Sequence, residues 1–132
     1  MAEAADRPFF RSSAVHVAFG FLLMGGWTLW VNRAHGLEAS WLPALAQGVF
    51  SGAMTAVIKK ALEWLDGRLP AAVAYILPPF ITAASILAAL TLLHLAVGTP
   101  ELIPTIAFPW SISTVYAIVY NIGLVRSRRA AA

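Results

Sequence analysis

The sequence predicts an all-α polytopic membrane protein: a four-transmembrane-helix bundle with short loops, forming one integral membrane domain over residues 1–132. Three observations lead there. The chain is 60% hydrophobic and only 11% charged, with a mean hydropathy of +0.76, whereas a soluble domain carries about 25% charged residues to cover its surface. The charges are also segregated. Stretches 12–32, 39–58, 69–100 and 102–125 contain no Asp, Glu, Lys or Arg, and about 20 residues of helix cross a bilayer core. Finally, the basic residues alternate in side. With the N-terminus inside, Arg7, Arg11, Lys59, Lys60, Arg68, Arg126, Arg128 and Arg129 are cytoplasmic and Arg33 alone is outside. That bias predicts both termini in the cytoplasm, as in a bacterial inner membrane protein, and argues against a dual-topology arrangement. The net charge of +3 is therefore read as topology, not as a nucleic-acid surface.

Residues 1–11 are short and mixed in charge, a frayed cytoplasmic tail. Span one covers about 12–32. Its apolar run exceeds a signal-peptide core, and no small-x-small cleavage site precedes Asn32–Arg33, so it is expected to stay as an anchor. Trp27 and Trp30 stand at its far end, the headgroup level that indoles favour.

Span two covers about 41–60, with Trp41 and Pro43 opening it; proline in a first turn costs little. It leaves through Lys59, Lys60, Glu63 and Asp66, with Gly67 as the residue after the helix and Pro70 as a stop. Span three covers about 71–97. The charge-free run there is longer than a membrane needs, so either 69–75 lies at the interface or the helix tilts; Pro78-Pro79 predicts a kink. Span four covers about 102–125. It starts at Ile103-Pro104, carries a second kink candidate at Pro109, and ends at the three arginines. Leu42-Pro-Ala-Leu-Ala46 recurs 61 residues later as Ile103-Pro-Thr-Ile-Ala107. Two hairpins related by duplication and chance similarity of apolar segments both account for it.

Absences narrow the function. There is no cysteine, hence no disulfide and no thiolate chemistry. None of the four spans holds a carboxylate, so the buried-acid mechanism of small drug/proton exchangers has no residue to run on. No phosphate-binding loop, HExxH or GxSxG motif occurs. No catalytic residue, cofactor or metal site is therefore assigned.

Span two carries a polar seam. At about 100° per residue, Ala44, Gly48, Ser51, Gly52, Thr55 and Lys59 fall within one arc, with Gln47 on its edge. Such a seam either lines a path or lets a neighbouring helix approach; Gly48, Ser51 and Gly52 are better explained by packing. His16, Thr55, Lys59, Tyr116, Tyr120 and Asn121 share a depth in the inner leaflet, which with Ser51 makes a candidate site for an anionic lipid or substrate. The plainer account is that Lys59 snorkels and the tyrosines form an interface belt. At the opposite end His35, Glu38, His94 and Glu101 have residue types that bind zinc, though any exposed loop could contain them.

The expected function is an oligomeric transport or lipid-handling protein that binds an anionic lipid or substrate in the inner leaflet. Its partners would be membrane lipids and further copies of itself or a larger membrane complex. The alternative is a non-catalytic accessory subunit, with the seam as docking face. A small membrane enzyme acting on lipid headgroups, with the outer His/Glu loops as its site, is the third reading; an enzyme is not expected.

Overall fold

The computed structural model describes residues 8–70 and 72–132, with side-chain surroundings from Ala14 onward; residues 1–7 of the predicted 1–11 tail lie outside it, and 8–11 are not tail but the start of the first helix. Four helices form: α1 (Pro8–Asn32), α2 (Leu37–Asp66), α3 (Leu77–Ala96) and α4 (Leu102–Ala131), with no strand among the described residues. All four are long and apolar enough to cross a membrane. α2 and α4 lie against each other through the middle, with α1 on one flank and α3 on the other. The α1–α2 turn and the α3–α4 turn meet at one end, called here the hairpin end. The helix termini and the α2–α3 connection share the other, the terminal end.

Both hairpin turns depend on glycine. Gly36 (φ 83°) and Gly98 (φ 68°) take the left-handed conformation that a Cβ would strain. Gly67, predicted to end α2 in the same way, is instead right-handed at φ −72°. Pro78 and Pro79 do not kink a helix. They occupy the first turn of α3, where missing N–H groups have no acceptor anyway, and the residues before them form a separate short 3₁₀ turn at Val73–Tyr75. Within the predicted 71–97 span the α-helix is Leu77–Ala96, and with the 3₁₀ turn the apolar helical stretch runs over Val73–Ala96. α2 begins four residues before the predicted Trp41, which places Pro43 inside the helix. Pro109 likewise sits inside an unbroken α4.

The apolar core is small: Ile58 and Leu62 of α2, Ile86 and Leu90 of α3, Ile106 and Ala117 of α4. What surrounds it is inverted relative to a soluble bundle. Thr28, Asn32, Ser40, Gln47, Thr82, His94, Thr105 and Asn121 are buried, while Phe19, Leu22, Val49, Phe80, Leu92, Ile103 and Val119 are exposed. In water that distribution would be unfavourable on both sides; it is compatible with a bundle whose outer solvent is hydrocarbon.

The glycine seam settles how α1 packs. A Cβ on Gly48 would stand 2.8 Å from the Phe21 ring and 3.1 Å from the Phe21 carbonyl oxygen; one on Gly52 would meet Val17 at 3.2 Å. From the other side, a Cβ on Gly25 would stand 3.0 Å from the Ala44 carbonyl oxygen. Ala44, Gly48 and Gly52 therefore let the backbones of α1 and α2 come together. The seam is closed within the chain.

Candidate functional site

A quarter turn around α2 from that seam is a cleft of about 240 Å³. α2 forms its back through Gln47, Phe50, Ser51, Met54, Thr55 and Ile58; α1 and α4 form its two sides. It runs from the middle of the bundle, at Gln47 and Met24, to the terminal end, at His16 and Tyr116. Phe19, Leu23 and Ile112 line it and are also exposed on the outside of the bundle, so it opens sideways between α1 and α4. Its walls are mostly apolar. Its polar groups are few and placed at separate levels: Gln47 and Ser51 at the floor, Thr55 on the back and Ser113 on the α4 side, His16 and Tyr116 toward the mouth. An apolar pocket with a few polar groups is the usual form of a small-molecule site, although most of those are somewhat larger, about 300–1,000 Å³.

The cleft gathers four of the seven predicted site residues, His16, Ser51, Thr55 and Tyr116, and leaves three elsewhere. Lys59 is half-buried, does not line the cleft, and makes no hydrogen bond or ion pair with a described residue. The helical screw explains this. The cleft follows Gln47, Ser51, Met54 and Ile58, steps of four, three and four that hold one direction. Steps of four alone, through Ser51, Thr55 and Lys59, rotate away by about 40° each.

Tyr120 donates a hydrogen bond from its hydroxyl to Glu63 Oε1 at 2.7 Å and stacks on Tyr116 with ring centroids 5.7 Å apart. Glu63 thereby pairs with α4 and not with Lys59 one turn before it. Asn121 is fully buried and donates from Nδ2 to the carbonyls of Ala74 (2.8 Å) and Tyr75 (3.3 Å), pinning the short turn before α3 onto α4. Its position is explained by packing.

A second polar group lies at the hairpin end and joins the same two helices, α1 and α4. Asn32 donates from Nδ2 to Thr105 Oγ1 (2.9 Å), and its Oδ1 accepts from the Glu101 N–H (2.9 Å), joining α1 to α4. Ser40 Oγ donates to the Asn32 carbonyl at 2.9 Å, and Trp27 Nε1 donates to the Pro104 carbonyl at 3.1 Å while its ring packs on Phe108. Trp27 is thus a tertiary link, beyond the interfacial role its position suggested. The residues weighed as a zinc set divide. His35 Nε2 meets Glu101 Oε1 at 2.8 Å, but His94 is fully buried with both ring nitrogens engaged, Nε2 to Gln47 Oε1 (2.6 Å) and Nδ1 to Thr99 Oγ1 (2.7 Å). Among the described residues no three metal-binding side chains come together.

A larger groove of about 630 Å³ runs along α3 and α4 past Ile76, Phe80, Leu87, Trp110 and Ile118. It is nearly all apolar and gathers no convergent polar groups. No known protein family, no curated protein and no solved structure matches the chain, so the chemistry of the cleft has to be argued from its own residues.

Proposed function

We propose that the chain is an integral membrane protein, both termini cytoplasmic, that admits an amphiphilic, lipid-like molecule sideways from the bilayer into the cleft between α1 and α4. The observation that carries this reading is the combination of a side-opening apolar cleft with sparse polar groups at its floor and mouth. A polar ligand would leave those walls unused, and the second Nε2 hydrogen of Gln47 and the Ser51 hydroxyl hydrogen, beyond the bonds those side chains make to His94 and to each other, suit the polar end of an amphiphile. With the termini inside, the cleft lies in the cytoplasmic leaflet. Its function is lipid handling or transport of a small amphiphile, with no reaction assigned. The polar end of the ligand meets Gln47, Ser51, Thr55, Ser113 or His16 rather than Lys59. The accessory-subunit reading loses its main support, because α1 of the same chain already covers the small-residue seam.

Two experiments test this. Orientation is read from single cysteines, which report cleanly in a chain without any. Cysteine at Leu37, an exposed site, is expected to react with an impermeant maleimide in intact cells; labelling only after the membrane is breached reverses the topology. Occupancy is read with photoactivatable phospholipids in nanodiscs. Crosslinks should concentrate on Phe19, Leu23 and Ile112 and diminish when Ser113→Phe fills the cleft. An even spread over Val49, Phe80, Leu92 and Val119 would mark ordinary surrounding lipid and defeat the reading.

A further inference from the structure

His94 is the one titratable side chain among the fully buried polar residues described, and a continuous line of hydrogen bonds joins it to the cleft. Gln47 Nε2 donates to Ser51 Oγ at 2.7 Å, with both residues in the cleft floor. Gln47 Oε1, which can only accept, meets His94 Nε2 at 2.6 Å. With Gln47 so oriented, Nε2 carries the hydrogen of the neutral ring, and Nδ1 accepts from the Thr99 hydroxyl at 2.7 Å. Thr99 belongs to the turn at the hairpin end and is only half-buried, so the line runs from the cleft floor toward the surface.

This arrangement accommodates a proton with little movement. An imidazolium keeps its Nε2–H bond to Gln47 and donates from Nδ1 to the Thr99 oxygen, whose own hydrogen turns elsewhere. What the site does not provide is a counter-charge. From α2 the ring faces the neutral Gln47, and from the turn the neutral Thr99. The titratable groups at this end are His35 and Glu101, bound to one another, and the exposed Glu38 and Arg33. None of the described carboxylates lies within 4.0 Å of His94. A buried cation so placed is unfavourable alone, and the open position beside it is the cleft floor, one amide away.

We propose that His94 is a proton site coupled to the cleft, and that the ligand is an amphiphile with an anionic oxygen head (carboxylate, phosphate or sulfonate) seated on Gln47 and Ser51. The inference rests on the cleft being a ligand site. Anion and proton then favour each other, and the coupling is reciprocal. At a separation of about 7 Å and an effective dielectric of about 20, their attraction is worth up to about 50-fold in affinity. The ligand raises the titration midpoint of His94. Affinity is therefore highest at low pH and falls as pH rises through the midpoint of the occupied protein.

The test uses the full chain in phosphatidylcholine nanodiscs with ¹⁵N-labelled histidine. The sequence has three histidines, so His16→Asn and His35→Asn identify the His94 signal by elimination. The probe is decanesulfonate, ionised throughout the imidazole range of about pH 5–8, with decanol as its neutral counterpart. Binding is followed by protection of Ser113→Cys from maleimide. Decanesulfonate should shift the His94 midpoint upward by one unit or more and bind at least about tenfold tighter below it than above, while decanol binding stays flat. His94→Gln, which can still bond Gln47 and Thr99, should bind decanesulfonate with no pH dependence once His16→Asn also removes the imidazole at the cleft mouth; the wild-type midpoint shift decides the matter even if that variant does not fold. Cleft protection by both probes with an unmoved His94 midpoint would overturn the coupling and leave the cleft reading standing. Protection by neither would overturn both.

Discussion

The two ends of this bundle solve different problems with the same helices. At the hairpin end α1 is tied down: Met24, Gly25, Thr28 and Asn32 are buried, and Asn32 and Trp27 reach across to α4. Toward the terminal end, residues 14–19 of that helix are all exposed, and Val17 lies against the seam of α2 at Gly52. α4 follows suit, contacting α1 through Thr105 and Phe108 but leaving Ile112, Ser113 and Tyr116 to face the cleft. The difference shows where order resides. Directional hydrogen bonds fix one end, and the other packs its backbone closely on α2 and borders the cleft where it faces α4. Regions that admit ligands are drawn from the less stable part of a structure.

The largest expected effect comes from breaking what both ends share, the α1–α2 contact. Gly48→Leu must displace the Phe21 ring and the α1 backbone together, and overpacking of this kind costs about 3 kcal/mol. Loss of the monodisperse detergent peak, or a sharp fall in melting temperature, would register it. Val49→Leu, one residue on but facing outward with 59% exposure, should stay within about 0.5 kcal/mol of wild type. Equal effects at the two positions would mean that α1 does not sit on the seam.

The next effect belongs to the hairpin end alone. Asn32→Leu removes the bonds to Thr105 and to the Glu101 N–H. Interhelical hydrogen bonds in membranes average about 0.6 kcal/mol, so the pair should contribute about 1–2 kcal/mol, with some cost from the acceptors and donors left behind. The sharper readout is geometric: cysteines at Trp27 and Phe108, joined by a short bifunctional thiol reagent that fills the space of the two packed rings, should crosslink readily with Asn32 in place and poorly once Asn32→Leu is added. Equal yields would show that the two helices do not depend on that side chain to meet.

This contrast between ends was only partly legible in the sequence. Four helices were legible because charge is excluded from the spans and collects between them. The seam at Ala44, Gly48 and Gly52 was legible because a helix repeats its faces locally. Its partner was not, since Gly25 carries no mark that distinguishes it from Gly26, whose added Cβ would meet nothing. The pairing of Gln47 with His94 spans 47 residues and depends on how two helices rotate against each other, which no periodicity reports. Asn32 and Ser40 read as loop polarity because each lies at a span boundary; only the packed turn shows them buried. Pro78-Pro79 misled in a simpler way. Proline lowers the helical tendency of whatever precedes it, and the chain answered by starting α3 there, not by bending it.

The smallest effect sharpens the comparison at the terminal end. Lys59 lies on the seam direction and Lys60 about 100° away, yet neither lines the cleft. If the cleft is the ligand site, the two lysines differ in direction without differing in role: each supplies a positive charge toward the headgroups at the terminal end, worth about 1 kcal/mol toward anionic lipid and dependent on salt. Lys59→Gln and Lys60→Gln should therefore each leave melting within about 0.5 kcal/mol of wild type and leave decanol protection of Ser113→Cys unchanged. Both should reduce co-purified anionic lipid modestly and by similar amounts. A selective loss of bound lipid in Lys59→Gln would move the site from the cleft to the seam, because only a contact directed along Gly52 and Thr55 could tell these neighbours apart.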